Sequence, residues 1–310
     1  MSDPQRLVVF VHIPKAAGTT LVSIIEQEYR PRSIYRFRHA HTIEEQVGEI
    51  NRAAADRNGY EIVTGHIGYG LHELVEQPVS YFTMLREPLA LLISRYHYRR
   101  NHPRQNPVLA QHAKRSSLLE FGRSIEDNTM TRFLSGAEFQ AQASLGPGAA
   151  SFQRLQIARV TGEGFQGDPA CTPEMLETAK ANLRDRIGAF GITERFDVSM
   201  VLMSHVFGWK KINYVRQNTG EGKPHKDPVS RDDMAALRAR NAFDVELYAH
   251  ACELFEERIQ ALEPGFRDKV DRFRSMNAVH GRLNQWQTRI ARSPQSTVRW
   301  LGRVKRKVLS

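Results

Sequence analysis

Two cysteines, three tryptophans and no apolar run of membrane-spanning length: these are what a chain of 310 residues has little of or lacks. Cys171 and Cys252 stand far apart, without metal-type spacing. A disulfide framework is thereby excluded, and two reduced thiols are expected. No basic-then-apolar leader opens the chain, and strand patterning starts at Leu7. The expectation is a cytoplasmic protein, at most peripheral at the inner face of the membrane. No cluster of His, Cys and carboxylate residues has metal-ligand spacing, so no metal is expected. Charge of one sign is missing too, until the end. Residues 1–264 hold 32 Lys+Arg and 32 Asp+Glu, whereas residues 265–310 hold 12 and 2. The net charge of +10 is therefore a property of the tail. No nucleic-acid recognition motif accompanies it, which sets specific nucleic-acid binding aside. The length suits one large α/β domain or two small ones, enough to bury a full core.

What is present is organised around the N-terminal stretch. Leu7-Val8-Val9-Phe10-Val11 reads as a buried parallel strand. A small-residue loop follows, His12-Ile13-Pro14-Lys15-Ala16-Ala17-Gly18-Thr19-Thr20, and Leu21-Val22-Ser23-Ile24-Ile25 opens a helical apolar pattern. Strand, loop and helix start make an anion cradle. Loop amides and the positive end of the helix dipole converge on one spot, and Lys15 adds a full charge there. This is not the nucleotide-triphosphatase P-loop, in which lysine follows the last glycine; here Lys15 precedes Gly18.

Two further strand ends carry polar residues. Tyr60-Glu61-Ile62-Val63-Thr64 reads as a core strand ending at Gly65-His66-Ile67-Gly68-Tyr69-Gly70. Val79-Ser80-Tyr81-Phe82-Thr83-Met84-Leu85 is another, followed by Arg86-Glu87-Pro88. Proline suits the first turn of the helix that runs on from Leu89 to Tyr98, with Ser94 two turns in. Ligands of open α/β sheets bind beyond the carboxyl ends of the strands. Lys15 and His66 are thus placed to face one crevice, and Arg86 sits at a strand end as well. His72 is a weaker rival to His66, and His12 is a further candidate to line the site.

The order His-Ile-Pro-Lys-Ala-Ala-Gly-Thr-Thr resembles the 5′-phosphosulfate loop of sulfotransferases that use 3′-phosphoadenosine 5′-phosphosulfate (PAPS). The branch it resembles holds the heparan sulfate 2-O- and 6-O-sulfotransferases and their bacterial relatives. Arg86-Glu87-Pro88 with Ser94-Arg95-Tyr96 resembles the second PAPS signature, and the likeness extends over residues 6–262. The resemblance implies an α/β, P-loop-like three-layer sandwich with a central parallel sheet over residues 1–264. A basic, partly helical tail occupies 265–310. It implies transfer of a sulfuryl group from PAPS to a hydroxyl of a saccharide or glycoconjugate by in-line displacement. Lys15 would stabilise the leaving phosphate, and Ala16, Ala17, Gly18, Thr19 and Thr20 would complete the 5′-phosphate loop. Arg86 and Ser94 would hold the 3′-phosphate, as suits a guanidinium fork and a hydroxyl. Lys223, in the Gly/Pro/Lys loop over 218–228, would fold over the nucleotide. His66 would be the base, because a hydroxyl is a poor nucleophile near neutral pH and imidazole titrates there. The heparan sulfate enzymes carry a second histidine two residues earlier, where this chain has Thr64. Sulfation of a lipid or small metabolite, phosphoryl transfer on the same strand-loop-helix logic, and nucleotide or glycan binding without turnover all remain open.

Elsewhere the patterns predict a short strand at 33–37 and a capped helix over 43–57. Residues 99–104 read as a solvated basic helix end, contact with an anionic acceptor being the alternative. Helices are expected at 118–123, 125–134 and 173–186, a strand at 187–192, a helix over 198–207 and one more strand at 209–215. Further helices start at 230 and run over 243–262, and loops occupy 146–148 and 162–169. Residues 298–309 read as a basic amphipathic segment suited to an anionic membrane or polyanion, a disordered basic tail being the alternative.

Overall fold

A computed structural model describes residues 6–38, 41–56, 59–143, 152–161, 169–215, 229–262 and 264–292. Its sheet has five strands: β1 (Leu7–Val11), β2 (Ile34–Arg36), β3 (Ile62–Thr64), β4 (Val79–Leu85) and β5 (Ile187–Ile192). They lie in the order β2-β3-β1-β4-β5, and every pairing is parallel. Parallel strands buried on both faces need near-continuous apolar runs. Leu7, Val9, Phe10 and Val11 of β1 are accordingly fully buried, as are Phe82, Met84 and Leu85 of β4. Helices flank the sheet, giving the expected α/β, P-loop-like sandwich.

The first helices are α1 (Gly18–Glu28) and α2 (Ile43–Ala55). From β1 the chain passes through α1 to β2, returns through α2 to β3 beside β1, and then crosses to β4 on the other flank of β1. That reversal opens a crevice beyond the carboxyl ends of β3, β1 and β4. Helix α2 starts as predicted, because Thr42 Oγ1 accepts the Glu45 amide while Glu45 accepts the Thr42 amide at 2.8 Å.

Next come α3 (Pro88–Asn101), α4 (Pro107–Arg115), α5 (Leu118–Ser124), α6 (Thr129–Ser135), α7 (Ala137–Ala143) and α8 (Phe152–Thr161). Of these, α4, α7 and α8 were not predicted. The helix expected over 125–134 begins only at Thr129, after Asn128 takes a left-handed turn with φ 47°. Its start is set from far along the chain. The Asp244 carboxylate accepts the amides of Met130 (3.0 Å) and Thr131 (2.8 Å) and the Thr131 hydroxyl (2.9 Å). All are buried, so Asp244→Ala leaves three donors without an acceptor. It is expected to destabilise the protein by about 3 kcal/mol, against about half of that for Asp244→Asn, read from urea midpoints.

The chain ends with α9 (Pro173–Ala181), α10 (Phe196–Phe207), α11 (Arg231–Arg240), α12 (Ala242–Gln260) and α13 (Phe266–Arg292). A π-helical turn, Asn182–Arg186, carries α9 into β5. The strand predicted at 209–215 is absent. Its amides bond to side chains instead: Lys210 and Lys211 to Glu28, and Tyr214 to Asn277 at 2.8 Å. Helix α13 begins just past the boundary expected at 264, yet Phe266, Val270 and Phe273 join the main core. Their i, i+4, i+7 spacing lays one stripe against the domain, so the first turns of the basic segment pack as part of it. Among the described residues no helix is long and apolar enough to cross a membrane. Lys223, residues 146–148 and the basic segment 298–309 lie outside the described residues.

Candidate functional site

Four adjacent strands release a polar side chain at their carboxyl ends. His12 follows β1, His66 follows β3 by two residues, Arg86 follows β4, and Glu194 follows β5 by two. Between His12 and α1 the chain makes a tight loop in which Lys15 (φ 68°) and Ala17 (φ 58°) both adopt the left-handed conformation. Such residues cost about 1 kcal/mol or more apiece. They turn the loop so that Ala17 caps α1 and Gly18, Thr19 and Thr20 form its first turn. Ala16 and Thr20 are buried, whereas Thr19 is exposed. Glycine is required at position 18 because the His12 ring folds back onto it. A Cβ there would lie 1.7 Å from His12 Nε2.

His12 stacks on Phe10 at 4.9 Å and meets the His66 ring at 4.2 Å. Burial, then the neighbouring His66 and Lys15, hold its pKa well below the ordinary histidine value, so His12 is neutral. The loop that carries His66 needs Gly65 at φ 141°, packed on Phe37. His66 Nδ1 lies 2.9 Å from the His12 carbonyl oxygen. A carbonyl oxygen only accepts, so Nδ1 carries the proton and Nε2 the basic lone pair. Gln142 of α7 supports the loop from behind, donating to the His66 carbonyl at 3.1 Å.

Arg86 ties the other flank to the loop, with Nη1 donating to the Lys15 carbonyl at 2.9 Å. Its Nε is buried without a hydrogen-bond partner, 4.0 Å from Glu194 Oε1. Glu194 itself is held by the Glu87 amide (3.2 Å) and the Tyr248 hydroxyl (2.9 Å). Lys15 Nζ sits 3.6 Å above the Tyr98 ring and makes no ion pair among the described residues. Burial, then Arg86 and Arg99, push its pKa down to about 8. Arg99 is itself pushed down to about 10, by burial and then Arg95. Among the described residues Lys15, Arg86 and Arg99 therefore form a cationic group with Glu194 as its one facing carboxylate at ion-pair distance. Ser94 is half-buried one turn before Tyr98, on the same face of α3 as the ring that touches Lys15.

The crevice thus gathers Lys15, the 16–20 loop and Arg86 on one side of His12, and His66 on the other, while Ser94 is placed only by its helical spacing to Tyr98. It does not gather His72. That residue is exposed, and its amide and Nδ1 lie 2.8 and 2.9 Å from the hydroxyl of Tyr81, near the start of β4 and away from the strand ends. Sequence reasoning missed Tyr98, Gln142 and Glu194, and it offered Arg99 only as part of a basic helix end. Glu194 was open to the same strand-end rule that placed Lys15 and His66. Arg99 read as solvated, but it is bonded to Gln156 of α8. Among the described residues no three His, Cys, Asp or Glu side chains cluster as a metal site requires.

Comparison with curated proteins finds no match to this chain. A protein-family model described as galactose-3-O-sulfotransferase matches residues 1–283. The matching model is that of the galactose enzymes, not the heparan sulfate branch that the loop residues resemble. The match takes in the whole crevice and all five strands, and on that extent the chain belongs to the galactose-3-O-sulfotransferase family.

Proposed function

We propose that the protein transfers a sulfuryl group from PAPS to a hydroxyl of a saccharide or glycoconjugate, with His66 as the base. One observation carries this reading. Two cations, Lys15 and Arg86, lie on one side of a neutral His12, and a histidine with its basic nitrogen defined lies on the other. The donor brings two phosphate groups and an activated sulfuryl group open to in-line displacement. The buried Arg86 Nε, without a hydrogen-bond partner, and the Lys15 ammonium, without an ion pair among the described residues, fit such an anion.

Each residue then has a task. The amides at the start of α1 and Lys15 bind the 5′-phosphate side, where negative charge grows as the bond to sulfur breaks. Arg86 and Ser94 hold the 3′-phosphate. His66 Nε2 accepts the proton of the acceptor hydroxyl, and the His12 carbonyl on Nδ1–H steadies the resulting imidazolium. A neutral His12 adds no repulsion to that charge. Within saccharides, the family match favours a galactose hydroxyl over a heparan sulfate one. The net charge of the tail supports a polyanionic or anionic-membrane partner, and a cytoplasmic, bacterial setting belongs to the same reading.

Calorimetry with 3′,5′-adenosine bisphosphate tests this directly. The wild type is expected to bind it, and Arg86→Ala to bind it at least tenfold more weakly, about 1.4 kcal/mol. ATP binding by the wild type with no response to the bisphosphate would replace this reading with phosphoryl transfer.

A further inference from the structure

A cleft of about 320 Å3 opens between the end of α5, the start of α6, and helices α8 and α11. Arg123, Arg132, Arg159 and Arg240 line it, against the carboxylates of Glu126 and Asp127. None of Lys15, His66, Arg86 or Ser94 does. The two carboxylates are already matched. Glu126 lies 2.6 Å from Arg95 and 3.2 Å from Arg159, and Asp127 lies 2.8 Å from Arg132. Arg159 also meets Glu138 at 3.3 Å, so the buried acids and bases behind the cleft cancel one another.

The surplus falls on two residues. Arg240 donates to the carbonyls of Gly122 (3.2 Å) and Ile125 (3.0 Å), neutral acceptors that fix its guanidinium, and it makes no ion pair among the described residues. Arg123 is exposed at the end of α5 and makes no ion pair among the described residues. Two guanidinium groups without ion pairs among the described residues suit a compact anion with two or three coplanar or splayed oxygens. A chain of contacts also runs towards the reaction centre. Arg159 contacts Glu138, Glu138 receives Gln142 Nε2 at 3.4 Å, and the same Nε2 donates to the His66 carbonyl.

We infer that this cleft is a subsite for an anionic group of the acceptor saccharide, a carboxylate or a sulfate ester, distant from the hydroxyl that is modified. This rests on the reading that the acceptor is a saccharide. The enzyme would then act preferentially on glycans that already carry a negative charge.

The test uses the full chain saturated with 3′,5′-adenosine bisphosphate, so that the donor site is filled and cannot take up a second anion. Saturation is verified by its own titration, whose failure would count against the donor site and not against the cleft. Galactose, galacturonate and galactose 6-sulfate are then titrated, with binding followed by NMR. At least one charged sugar is expected to bind tenfold or more tightly than galactose, and whichever does so identifies the anion. Arg123→Gln is expected to abolish that preference and Arg123→Lys to keep most of it, with unchanged melting temperatures. Equal binding of all three sugars, or a preference that survives Arg123→Gln, would overturn the inference.

Discussion

His66→Asn is expected to lower kcat for sulfuryl transfer from PAPS by about 100- to 10,000-fold, the usual worth of a general base. Affinity for 3′,5′-adenosine bisphosphate should stay at the wild-type level. The choice of asparagine isolates the chemistry. Its side-chain amide can still donate to the His12 carbonyl in place of Nδ1–H, so the loop after Gly65 keeps its anchor, and only the basic nitrogen is lost. The Gln142 support on the His66 carbonyl is untouched, because it contacts backbone. In the wild type, kcat should fall on the acid side as the base becomes protonated, and that limb should vanish in the variant. Transfer to a panel of galactosides provides the readout. A variant within threefold of the wild type would move the base role away from His66, and His12 would not inherit it easily. Its ring is packed between Phe10, His66 and Gly18, and burial, then His66 and Lys15, hold its pKa well below the ordinary histidine value.

Much of the frame was legible because its signals are local. The apolar runs at β1, β4 and β5 have no polar face to misplace, and their ends point to one edge of a parallel sheet. That rule brought Lys15 and His66 to one crevice, and the second PAPS signature added Arg86. What stayed hidden depends on contacts between residues far apart in sequence. Residues 209–215 have strand-like composition, but Glu28, some 180 positions away, takes the amides of Lys210 and Lys211. Asp244 decides where α6 begins from more than 110 positions along the chain. Arg99 looks like a solvated helix end until α8 brings Gln156 over it. At the start of α13 the surrounding charges outweighed three apolar residues at helical spacing. The role of Gly18 was legible as loop chemistry, but not its contact with the His12 ring, because no spacing rule folds a side chain back across six residues.

Lys15 should set both the rate and the pH dependence of donor binding. Its ammonium lies partly buried over Tyr98 beside Arg86 and Arg99, and these surroundings lower its pKa to about 8. A bound bisphosphate brings negative charge to the same place and must raise that pKa, since it stabilises the protonated form. The sign follows by linkage. Binding favours protonated Lys15, so its contribution is complete below about pH 8 and is lost as pH rises above it. Affinity for 3′,5′-adenosine bisphosphate is therefore expected to fall roughly tenfold per pH unit above 8, with proton uptake on binding at pH 8.5 to 9. Lys15→Arg keeps its charge there and should flatten the profile. Lys15→Met should flatten it as well, by losing the charge at every pH. In Lys15→Met kcat is expected to drop about 100- to 1,000-fold, as for removal of one group that stabilises developing charge. A wild-type affinity that is constant between pH 7.5 and 9.5 would place the donor phosphates away from Lys15. The rate and the pH profile together separate two roles. A residue that only binds would shift affinity and leave kcat alone, whereas one that faces the leaving phosphate must change both.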